Sequence, residues 1–412
     1  MKKVAIIGAG FSGLSLAWAL HKRGVTCEVF EKENRCGGMI ATEKKEILIE
    51  SAANAVIASA EFEALCADVG VELVTAGFKS NARYIFRNLP KRFPLGVFGF
   101  FKILFKLFIA KVTGRFKPLA HESVRQWGTR LVDSEFVDYL IEPALQGIYA
   151  VPTERLNAKL VIDGLLDSSL RPTRGKLKGS VSPTHGMGEL MKALSDYLQR
   201  NSITIHYGSG FGAFDEFDAV VYAGSLRYIG ESLGSVVPKA TGALAALPLT
   251  QVSTVVLGFK SPRKLRGFGC LFPRAEGFHS LGVLFNTDIF PNRGDWESES
   301  WIFASAEHGP ERFLELALAD RRKLTGLQES PEVWRVNSWK PALPVYGPEL
   351  KELLKSPIFF NADSDFSVFK NGARLRESAQ PLYLTGNFLG GIGLARILKY
   401  NLQLAQRIES EI

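Results

Sequence analysis

Three glycines near the N-terminus have the spacing of a dinucleotide-binding turn. The segment Gly8-Ala9-Gly10-Phe11-Ser12-Gly13 follows a short apolar run, residues 4–7, and precedes a stretch of helical character, residues 14–23. In this pattern the first glycine permits a tight turn, the second lets a pyrophosphate approach the backbone, and the third lets the helix pack on the strand. The helix N-terminus would offer N–H groups and a positive dipole end to the phosphates.

An acidic residue completes the pattern. A second apolar run, residues 26–30, ends at Glu31, which lies 18 residues beyond Gly13. A carboxylate about 20 residues past the glycines is suited to hydrogen-bond a ribose hydroxyl. Strand, glycine turn, helix, strand and acid together predict a Rossmann-type unit that binds a dinucleotide. The alternative is a turn of the same shape that binds no ligand.

Length and composition indicate how many structural lobes the chain forms and which ligands would suit its charge. The chain has 412 residues, 46% of them hydrophobic and 22% charged, which is typical of a folded globular protein. A chain of this length is expected to form two or three lobes, because single hydrophobic cores stop growing at smaller sizes. The formal net charge of +8 is compatible with an acidic ligand or an anionic membrane. The basic residues are too dispersed to favour nucleic acid.

The cysteine content and the N-terminal residues indicate in which cellular compartment the protein is expected. The four cysteines show no paired framework, which favours a reducing compartment. The start Met1-Lys2-Lys3 can imitate a secretory signal, but the glycines interrupt the apolar run that follows. No metal site is predicted, because the six histidines are scattered. We therefore expect a cytoplasmic protein, with association at the cytoplasmic face of a membrane as a further option.

A second glycine pair narrows the choice of cofactor. Glu31-Lys32-Glu33-Asn34-Arg35-Cys36-Gly37-Gly38 follows the pattern E-x-x-x-R-x-G-G and resembles the flavin-binding signature of the glutathione-reductase-like superfamily. That signature is commonest in the branch of amine oxidases, phytoene desaturases and protoporphyrinogen oxidases. The glycine pair would bring backbone close to a pyrophosphate, and Arg35 would add positive charge.

Other patches along the chain resemble the protoporphyrinogen oxidase family. They are Glu122-Ser123-Val124, Leu140-Ile141-Glu142-Pro143, Gly147-Ile148-Tyr149-Ala150, His185-Gly186-Met187, residues 266–273, Phe290-Pro291-Asn292-Arg293 and residues 381–394. Two places depart from the family. Glu50-Ser51-Ala52-Ala53-Asn54 replaces E-x-G-P, and Ala395-Arg396-Ile397-Leu398 stands where an Asp-Cys pair is usual. The chain is also shorter than most members.

The resemblance implies FAD, bound without a covalent link. No cysteine follows Cys270, so a covalent tether near the C-terminus is excluded and an amine substrate is disfavoured. The cofactor-binding residues implied by the glycine turn and the resemblance are Gly8, Gly10, Phe11, Ser12, Gly13, Glu31, Lys32, Arg35, Gly37, Gly38, Met39, Asn54, Asn387, Gly391, Ile392, Gly393 and Leu394.

The resemblance also implies a substrate site. Arg83, in Asn81-Ala82-Arg83-Tyr84-Ile85-Phe86, matches an arginine that pairs with a propionate carboxylate of a porphyrinogen. A guanidinium is suited to this because it can hold a carboxylate with two hydrogen bonds. Phe268 and Leu271 match positions that sandwich the macrocycle. The alternatives are a solvent-facing strand arginine and two ordinary core residues. No catalytic acid or base is predicted.

Residues 94–110, PLGVFGFFKILFKLFIA, carry few charges. Lys102 and Lys106 are four apart and share one helical face. Such a helix can lie in a bilayer interface, with its lysines near lipid headgroups and its aromatic residues below. A buried helix with two snorkelling lysines is the alternative.

We therefore expect an α/β fold with three parts. Residues 1–55, 180–228 and 376–412 are predicted to form a discontinuous Rossmann-type FAD domain. Residues 56–91 and 240–375 should form a substrate domain with a mixed sheet. Residues 92–179 should form a helical lobe with possible membrane contact. Expected strands in the second domain are residues 250–259, 281–285 and 301–305, with a helix over 310–325.

The function implied is FAD-dependent oxidation of a porphyrinogen, protoporphyrinogen IX to protoporphyrin IX, in haem or tetrapyrrole synthesis, with oxygen as acceptor. The substrate is thus expected to be a small apolar molecule with carboxylate tails, and coproporphyrinogen stays open as an alternative. So do a flavin oxidase or desaturase of another apolar substrate, and a paralogue that binds FAD or a tetrapyrrole without turnover.

Overall fold

The computed structural model of the protein describes residues 2–212, 214–291, 293–360, 368, 372–389 and 391–412. Asn292 and Gly390, which belong to two segments that carry the resemblance, lie outside the described residues, as does part of the predicted substrate domain, 361–367 and 369–371.

The first sheet is assembled from distant parts of the chain. Its strands, in spatial order, are β10 (Ile205–Tyr207), β2 (Thr26–Glu31), β1 (Lys3–Ile7), β11 (Ala219–Tyr222), β18 (Leu382–Leu384) and β17 (Ala373–Arg374). All neighbours pair in parallel except β17 and β18. Because β2 and β11 flank β1, the carboxyl ends of these three strands meet at one edge, where α/β sheets bind their ligands.

Helices cover this sheet, form the lobe beside it and pack on the second sheet described below. In chain order they are α1 (Phe11–His21), α2 (Ala60–Val69), α3 (Gly96–Val112), α4 (Val124–Leu131), α5 (Ser134–Phe136), α6 (Glu142–Tyr149), α7 (Gly164–Leu166), α8 (Met187–Arg200), α9 (Ile229–Leu233), α10 (Pro238–Ala245), α11 (Asn286–Ile289), α12 (Pro310–Thr325), α13 (Pro348–Leu354) and α14 (Leu394–Glu411). Helix α1 packs against α8 and α14. The interior residues of β1 and α1 are almost fully buried, so this layer is the main core.

The second sheet has a separate apolar core. Its strands are, in order, β16 (Val333–Trp339), β12 (Val252–Phe259), β15 (Glu297–Phe303), β14 (Gly282–Phe285), β13 (Gly269–Leu271), β7 (Arg83–Arg87) and β8 (Leu89–Lys91). Only β13 and β7 pair in parallel. Phe259, Phe272 and Trp301 lie in the core between this sheet and α12. The predicted fold class, a Rossmann-type unit with a second mixed-sheet domain, is confirmed.

The boundary between the two units differs from the predicted one. Residues 83–91 join the second sheet as predicted, but residues 56–75 do not. Strands β5 (Val56–Ile57) and β6 (Leu73–Thr75) pair with β9 (Ser180–Pro183) in a small sheet of their own. Helix α2 packs between α8 and α14, because its buried face, with Phe62 and Leu65, needs an apolar surface that the first domain supplies. A hairpin, β3 (Thr42–Lys44) and β4 (Leu48–Glu50), lies beside it.

Two elements begin earlier than the sequence pattern predicts. Helix α1 starts at Phe11 instead of residue 14, because Gly13 sits inside its first turn, against the carbonyl of Gly8. Strand β15 starts at Glu297 instead of residue 301. Its polar first half is buried because Glu297 and Glu299 form ion pairs with Arg263. The predicted helix over residues 310–325 is confirmed at both ends.

Helix α3 presents its apolar side to the exterior. Phe98, Phe105 and Phe108 are exposed, whereas Ile103 and Ala110 are buried. The two lysines, which were predicted to lie near lipid headgroups, are exposed and also have partners in the protein. Lys102 Nζ lies 2.8 Å from a carboxylate oxygen of Asp133, and Lys106 Nζ donates to the carbonyl of Val132. Their placement at lipid headgroups stays a prediction. Within the described part of the chain, no helix has the length and apolarity needed to cross a bilayer.

Candidate functional site

The glycine turn is built by close backbone contacts. Gly8 N–H donates to Phe30 O at 2.7 Å, and Gly8 has a φ of +109°, which favours glycine. A Cβ at Gly13 would lie 1.9 Å from Gly8 O, so no larger residue fits there. Gly10 precedes α1 in an extended conformation and gives it no side-chain cap. The first N–H groups of a helix have no partner within it, and Phe11 and Ser12 stand at this end.

The second glycine pair packs directly on the first turn. Gly37 N–H donates to Ala9 O at 2.8 Å, and Gly10 and Gly37 form a parallel bridge. A Cβ at Gly38 would lie 3.4 Å from the Cα of Gly10. Arg35 donates to Gly38 O at 2.7 Å and so holds this loop. Residues predicted from two separate motifs thus form one narrow, backbone-lined cradle.

Glu31 and Lys32 stand beside the cradle. Glu31 is 8% exposed. One of its carboxylate oxygens accepts from Ala9 N at 2.7 Å and the other from Glu33 N at 3.0 Å. A carboxylate has about four acceptor positions, so both oxygens keep capacity for a ribose hydroxyl. Lys32 is exposed at the rim.

Met39 and Asn54, which follow β2 and were predicted to bind the cofactor, form hydrogen bonds with other groups of the protein. Met39 O accepts from Ser51 Oγ at 2.6 Å. Asn54 Nδ2 donates to Asn286 Oδ1 at 3.0 Å, and Asn54 Oδ1 accepts from Arg293 at 2.7 Å. Asn54 therefore links the first domain to the second. The contacts shown for its side chain are to protein, and its role toward a cofactor remains a prediction.

Arg293 and Glu50 lie buried at the same junction. The Arg293 guanidinium is 3.4 Å from a Glu50 oxygen, and Glu50 also accepts from Met187 N at 2.9 Å and Thr42 Oγ1 at 2.6 Å. Burial raises the pKa of Glu50 above its usual range, although Arg293 opposes that shift. Glu50, the first residue of the segment that departs from the family pattern, therefore links the two domains through Arg293.

The C-terminal segment approaches the cradle through α14. Gly393 precedes this helix without a side-chain cap, and Leu394 is its first residue. Asn401 donates to Ser12 O and to Ser15 Oγ, each at 2.8 Å, and bonds Thr385 Oγ1. Asn401 thus fixes the start of α1 to α14. Sequence reasoning missed it. The available signal was a polar residue among the apolar positions of an amphipathic helix.

An aromatic pair holds the turn before α14. Tyr346 Oη donates to Asn387 O at 2.8 Å, and the Tyr346 and Tyr149 rings lie 5.2 Å apart. Burial raises the pKa of Tyr149 to about 12, so this phenol stays protonated at neutral pH. Gly391 has a φ of +122° and packs on the Arg396 side chain. Ile392, between Gly391 and Gly393, is partly buried against the core.

The predicted substrate residues are brought together on adjacent strands. Gly269 of β13 pairs with Arg83 of β7, and the Arg83 guanidinium carbon lies 4.4 Å above the centre of the Phe268 ring. Leu271 Cδ2 is 3.4 Å from where a Cβ at Gly147 would lie. Gly147 is two residues before Tyr149 on α6, so this short helix joins the Arg83 group to the turn that leads into α14.

Asp288 fixes the Phe268 loop from behind. It is fully buried, and its Oδ2 accepts from Gly267 N at 2.9 Å and from Arg263 at 3.0 Å. Phe268 N–H in turn donates to Ala82 O at 2.7 Å, next to Arg83. Sequence reasoning did not find Asp288, because nothing in the spacing of residues 267 and 288 predicts their contact.

Taken together, the arrangement can hold a dinucleotide at the sheet edge and an apolar acid against β7, β13 and α6. Burial keeps the phenols of Tyr149 and Tyr346 beside it protonated at neutral pH. Chemistry that a redox cofactor carries by itself would suit such a site.

Comparisons with known proteins agree with this geometry. Residues 6–68 match the NAD(P)-binding Rossmann-like domain family. The chain is 25% identical to protoporphyrinogen oxidase 2, chloroplastic/mitochondrial, of Arabidopsis thaliana, over 99% of this chain and 94% of that protein. It is 22% identical to coproporphyrinogen III oxidase of Bacillus subtilis, over 95% of each. The solved structure of cyclohexylamine oxidase from Brevibacterium oxydans superposes with a TM-score of 0.73 at 16% identity, over 100% of this chain and 99% of that one.

The structural likeness establishes the shared fold, and the sequence similarity extends from end to end. The predicted resemblance is therefore confirmed. The chain is similar from end to end to the protoporphyrinogen and coproporphyrinogen III oxidases, and it is an oxidoreductase with a Rossmann-type dinucleotide-binding domain.

Proposed function

We propose that the protein binds FAD non-covalently and oxidises a porphyrinogen, with protoporphyrinogen IX as substrate and oxygen as final acceptor. The observation that carries this proposal is the placement of Arg83 over Phe268, with Leu271 on the same strand pair. A guanidinium beside aromatic and aliphatic side chains suits an apolar macrocycle with carboxylate tails.

The cradle fits the diphosphate of FAD. Gly10 and Gly38 approach so closely that a side chain at either would fill the space between the two loops, and a Cβ at Gly37 would lie 2.5 Å from Ile40 O. The cofactor-binding residues named from the sequence would line this cradle, with Glu31 toward a ribose and the start of α14 toward the flavin half. FAD would supply the hydride acceptor in each of three successive two-electron oxidations.

The protein's own part in the reaction is binding and orientation. Arg83 would hold a propionate and so fix which edge of the macrocycle enters. Phe268 and Leu271 would hold the ring, while the Asp288 contact to Gly267 keeps the Phe268 loop in place. The protonated Tyr149 and the α6 backbone would line the space toward the cofactor without taking up a proton.

An anaerobic titration tests the proposal. Full-length protein reconstituted with FAD is mixed with protoporphyrinogen IX without oxygen, and the flavin band at about 450 nm is followed. We expect it to bleach, with porphyrin fluorescence appearing as the band returns in air. A parallel titration with the more acidic coproporphyrinogen III distinguishes the two substrates. A flavin band that neither compound bleaches would refute the proposal and favour another substrate or a non-catalytic binding protein.

We further propose that α3 rests on a membrane surface. Its outward residues are apolar, with Phe98 94% and Phe105 66% exposed. Lys102 is paired with Asp133, and Lys106 donates to the carbonyl of Val132. Arg87 donates to Pro94 O, just before α3, and is four residues from Arg83 on β7. The segment leading into α3 is therefore bonded to the strand that carries Arg83, which would suit a substrate that partitions into lipid. The location that follows is the cytoplasmic face of a membrane.

A further inference from the structure

Tyr228 stands opposite Lys32 across the glycine turn. The Lys32 ammonium nitrogen lies 4.1 Å from the centre of the Tyr228 ring. Lys32 directly follows β2, and Tyr228 follows β11 by six residues. Because β2 and β11 flank β1, this contact spans the carboxyl edge of the sheet at the level of Gly8.

The segment that carries Tyr228 is firmly placed. A Cβ at Gly8 would lie 3.2 Å from the backbone of Ala223, so the turn after β11 packs on the glycine turn. Tyr222 Oη donates to Ser225 O at 2.7 Å and closes that turn. Leu226 and Ile229 are buried on either side, whereas the Tyr228 ring is 36% exposed. The ring is therefore held in place by its segment and is partly exposed, with Lys32 over one of its faces.

This chemistry suits the adenosine end of a dinucleotide. Glu31, next to Lys32, has acceptor capacity for the ribose, and the cradle would take the diphosphate. An aromatic ring at that end can stack on a base, and a lysine beside it adds charge near the phosphates. We propose that Tyr228, together with Lys32, forms the wall of the adenine pocket. The inference rests on the dinucleotide site of the proposed function but not on the identity of the substrate.

ADP, which FAD contains, tests the wall directly. The full-length chain, dialysed free of nucleotide, is titrated calorimetrically with ADP. Tyr228→Ala should weaken ADP binding about tenfold, the usual scale for losing a base–aromatic stack. Tyr228→Phe keeps the ring and should stay within about twofold of the parent protein. Arg227→Ala, in the same turn, is the matched control for local folding and charge, and it should also bind ADP normally.

The outcomes separate this inference from the proposed oxidase activity. FMN lacks the adenosine half, so its binding should be the same in Tyr228→Ala and the parent protein. Equal ADP affinity in both proteins, equal loss of ADP and FMN binding, or no ADP binding by the parent protein would each overturn the inference. ADP binding that depends on Tyr228, in a protein whose flavin no porphyrinogen reduces, would leave the inference standing and reject the proposed substrate.

Discussion

Arg83 shows how much the chemistry of a single side chain depends on its neighbours. An exposed strand arginine was the alternative interpretation of this residue, and Arg83 is indeed exposed at one end of β7. Its guanidinium nevertheless lies on the Phe268 ring at 4.4 Å, a cation–π distance. The contact fixes where the charge points, and a fixed guanidinium can select a carboxylate.

Arg83→Ala should lower kcat/KM for protoporphyrinogen about ten- to hundredfold, mainly through KM, because one charged hydrogen-bonding partner is lost. Arg83→Lys should recover part of the loss, since it keeps the charge but not the two-pronged geometry. Steady-state porphyrin fluorescence measures both. Arg322→Ala, on the exposed side of α12, is the control. Unchanged kinetics in Arg83→Ala would remove Arg83 from the substrate site.

Buried polar contacts tie individual elements of this protein together. Asn401 is the clearest example, because its side chain, inside α14, bonds Ser12 and Ser15 at the start of α1 and Thr385 directly after β18. The start of α1 is thereby held against α14, whose first residue, Leu394, is among the predicted cofactor-binding residues.

Asn401→Ala should therefore weaken both stability and cofactor retention. The loss of buried hydrogen bonds is expected to lower the Tm by roughly 2–4 °C and to speed the release of FAD. Gln406→Ala, on the exposed face of the same helix, should change neither. Differential scanning fluorimetry and the fluorescence of released flavin report the two effects. If FAD release is unchanged while the Tm falls, the contact is structural only.

The exposed apolar side chains of α3 lead to a prediction about membrane binding. Replacing Phe98, Phe105 and Phe108 together by Ser should reduce binding to vesicles of mixed zwitterionic and anionic phospholipids several-fold, because apolar area that would enter the interface is lost. The purified protein should fold normally, since these side chains are exposed. Ile57→Ser with Leu166→Ser removes exposed apolar residues elsewhere and is the control. Vesicle sedimentation that fails to distinguish the variants would reject the membrane face.

At the scale of the whole molecule, ion pairs of partly buried carboxylates make stability depend on pH, and the pair of Glu122 with Arg130 is an example. Glu122, just before α4, accepts two hydrogen bonds from Arg130, at 2.6 and 2.8 Å. Burial acts to raise the pKa of Glu122, but Arg130 and the Leu119 N–H outweigh it, so the pKa lies below its usual range. A carboxyl of this kind stabilises the fold fully above its unfolded pKa, about 4.3.

The stabilisation should be lost as the pH falls from about 4.3 through the lower pKa of folded Glu122. Glu122→Gln is therefore expected to lower the Tm at pH 7 and to make it less sensitive to acid than that of the parent protein. Glu352→Gln, an exposed acid on α13, should behave like the parent. Tm values measured from pH 7 to pH 3 test this, and parallel curves for parent and Glu122→Gln would contradict it.

Local sequence patterns correctly predicted those turns and strands whose conformation is set by residues close together in the sequence. The turn from Gly8 to Gly13 and the strand that ends at Glu31 form as expected, because a tight turn and a buried strand need particular residues at fixed spacing. The start of β15 was missed for the opposite reason. Its glutamates look like surface residues until Arg263 is seen beside them.

The sequence by itself determined the glycine cradle's components, the α/β class and the kinship with porphyrinogen oxidases, since each depends on residue types along short stretches or on similarity over the whole chain. Only the tertiary structure decided which residues meet. Arg83 lies on Phe268, Tyr228 faces Lys32, and Asn54 bonds Arg293 across 239 positions. Contacts between distant segments depend on strand order and helix packing, because small backbone shifts decide which side chains touch. No local sequence pattern predicts such contacts.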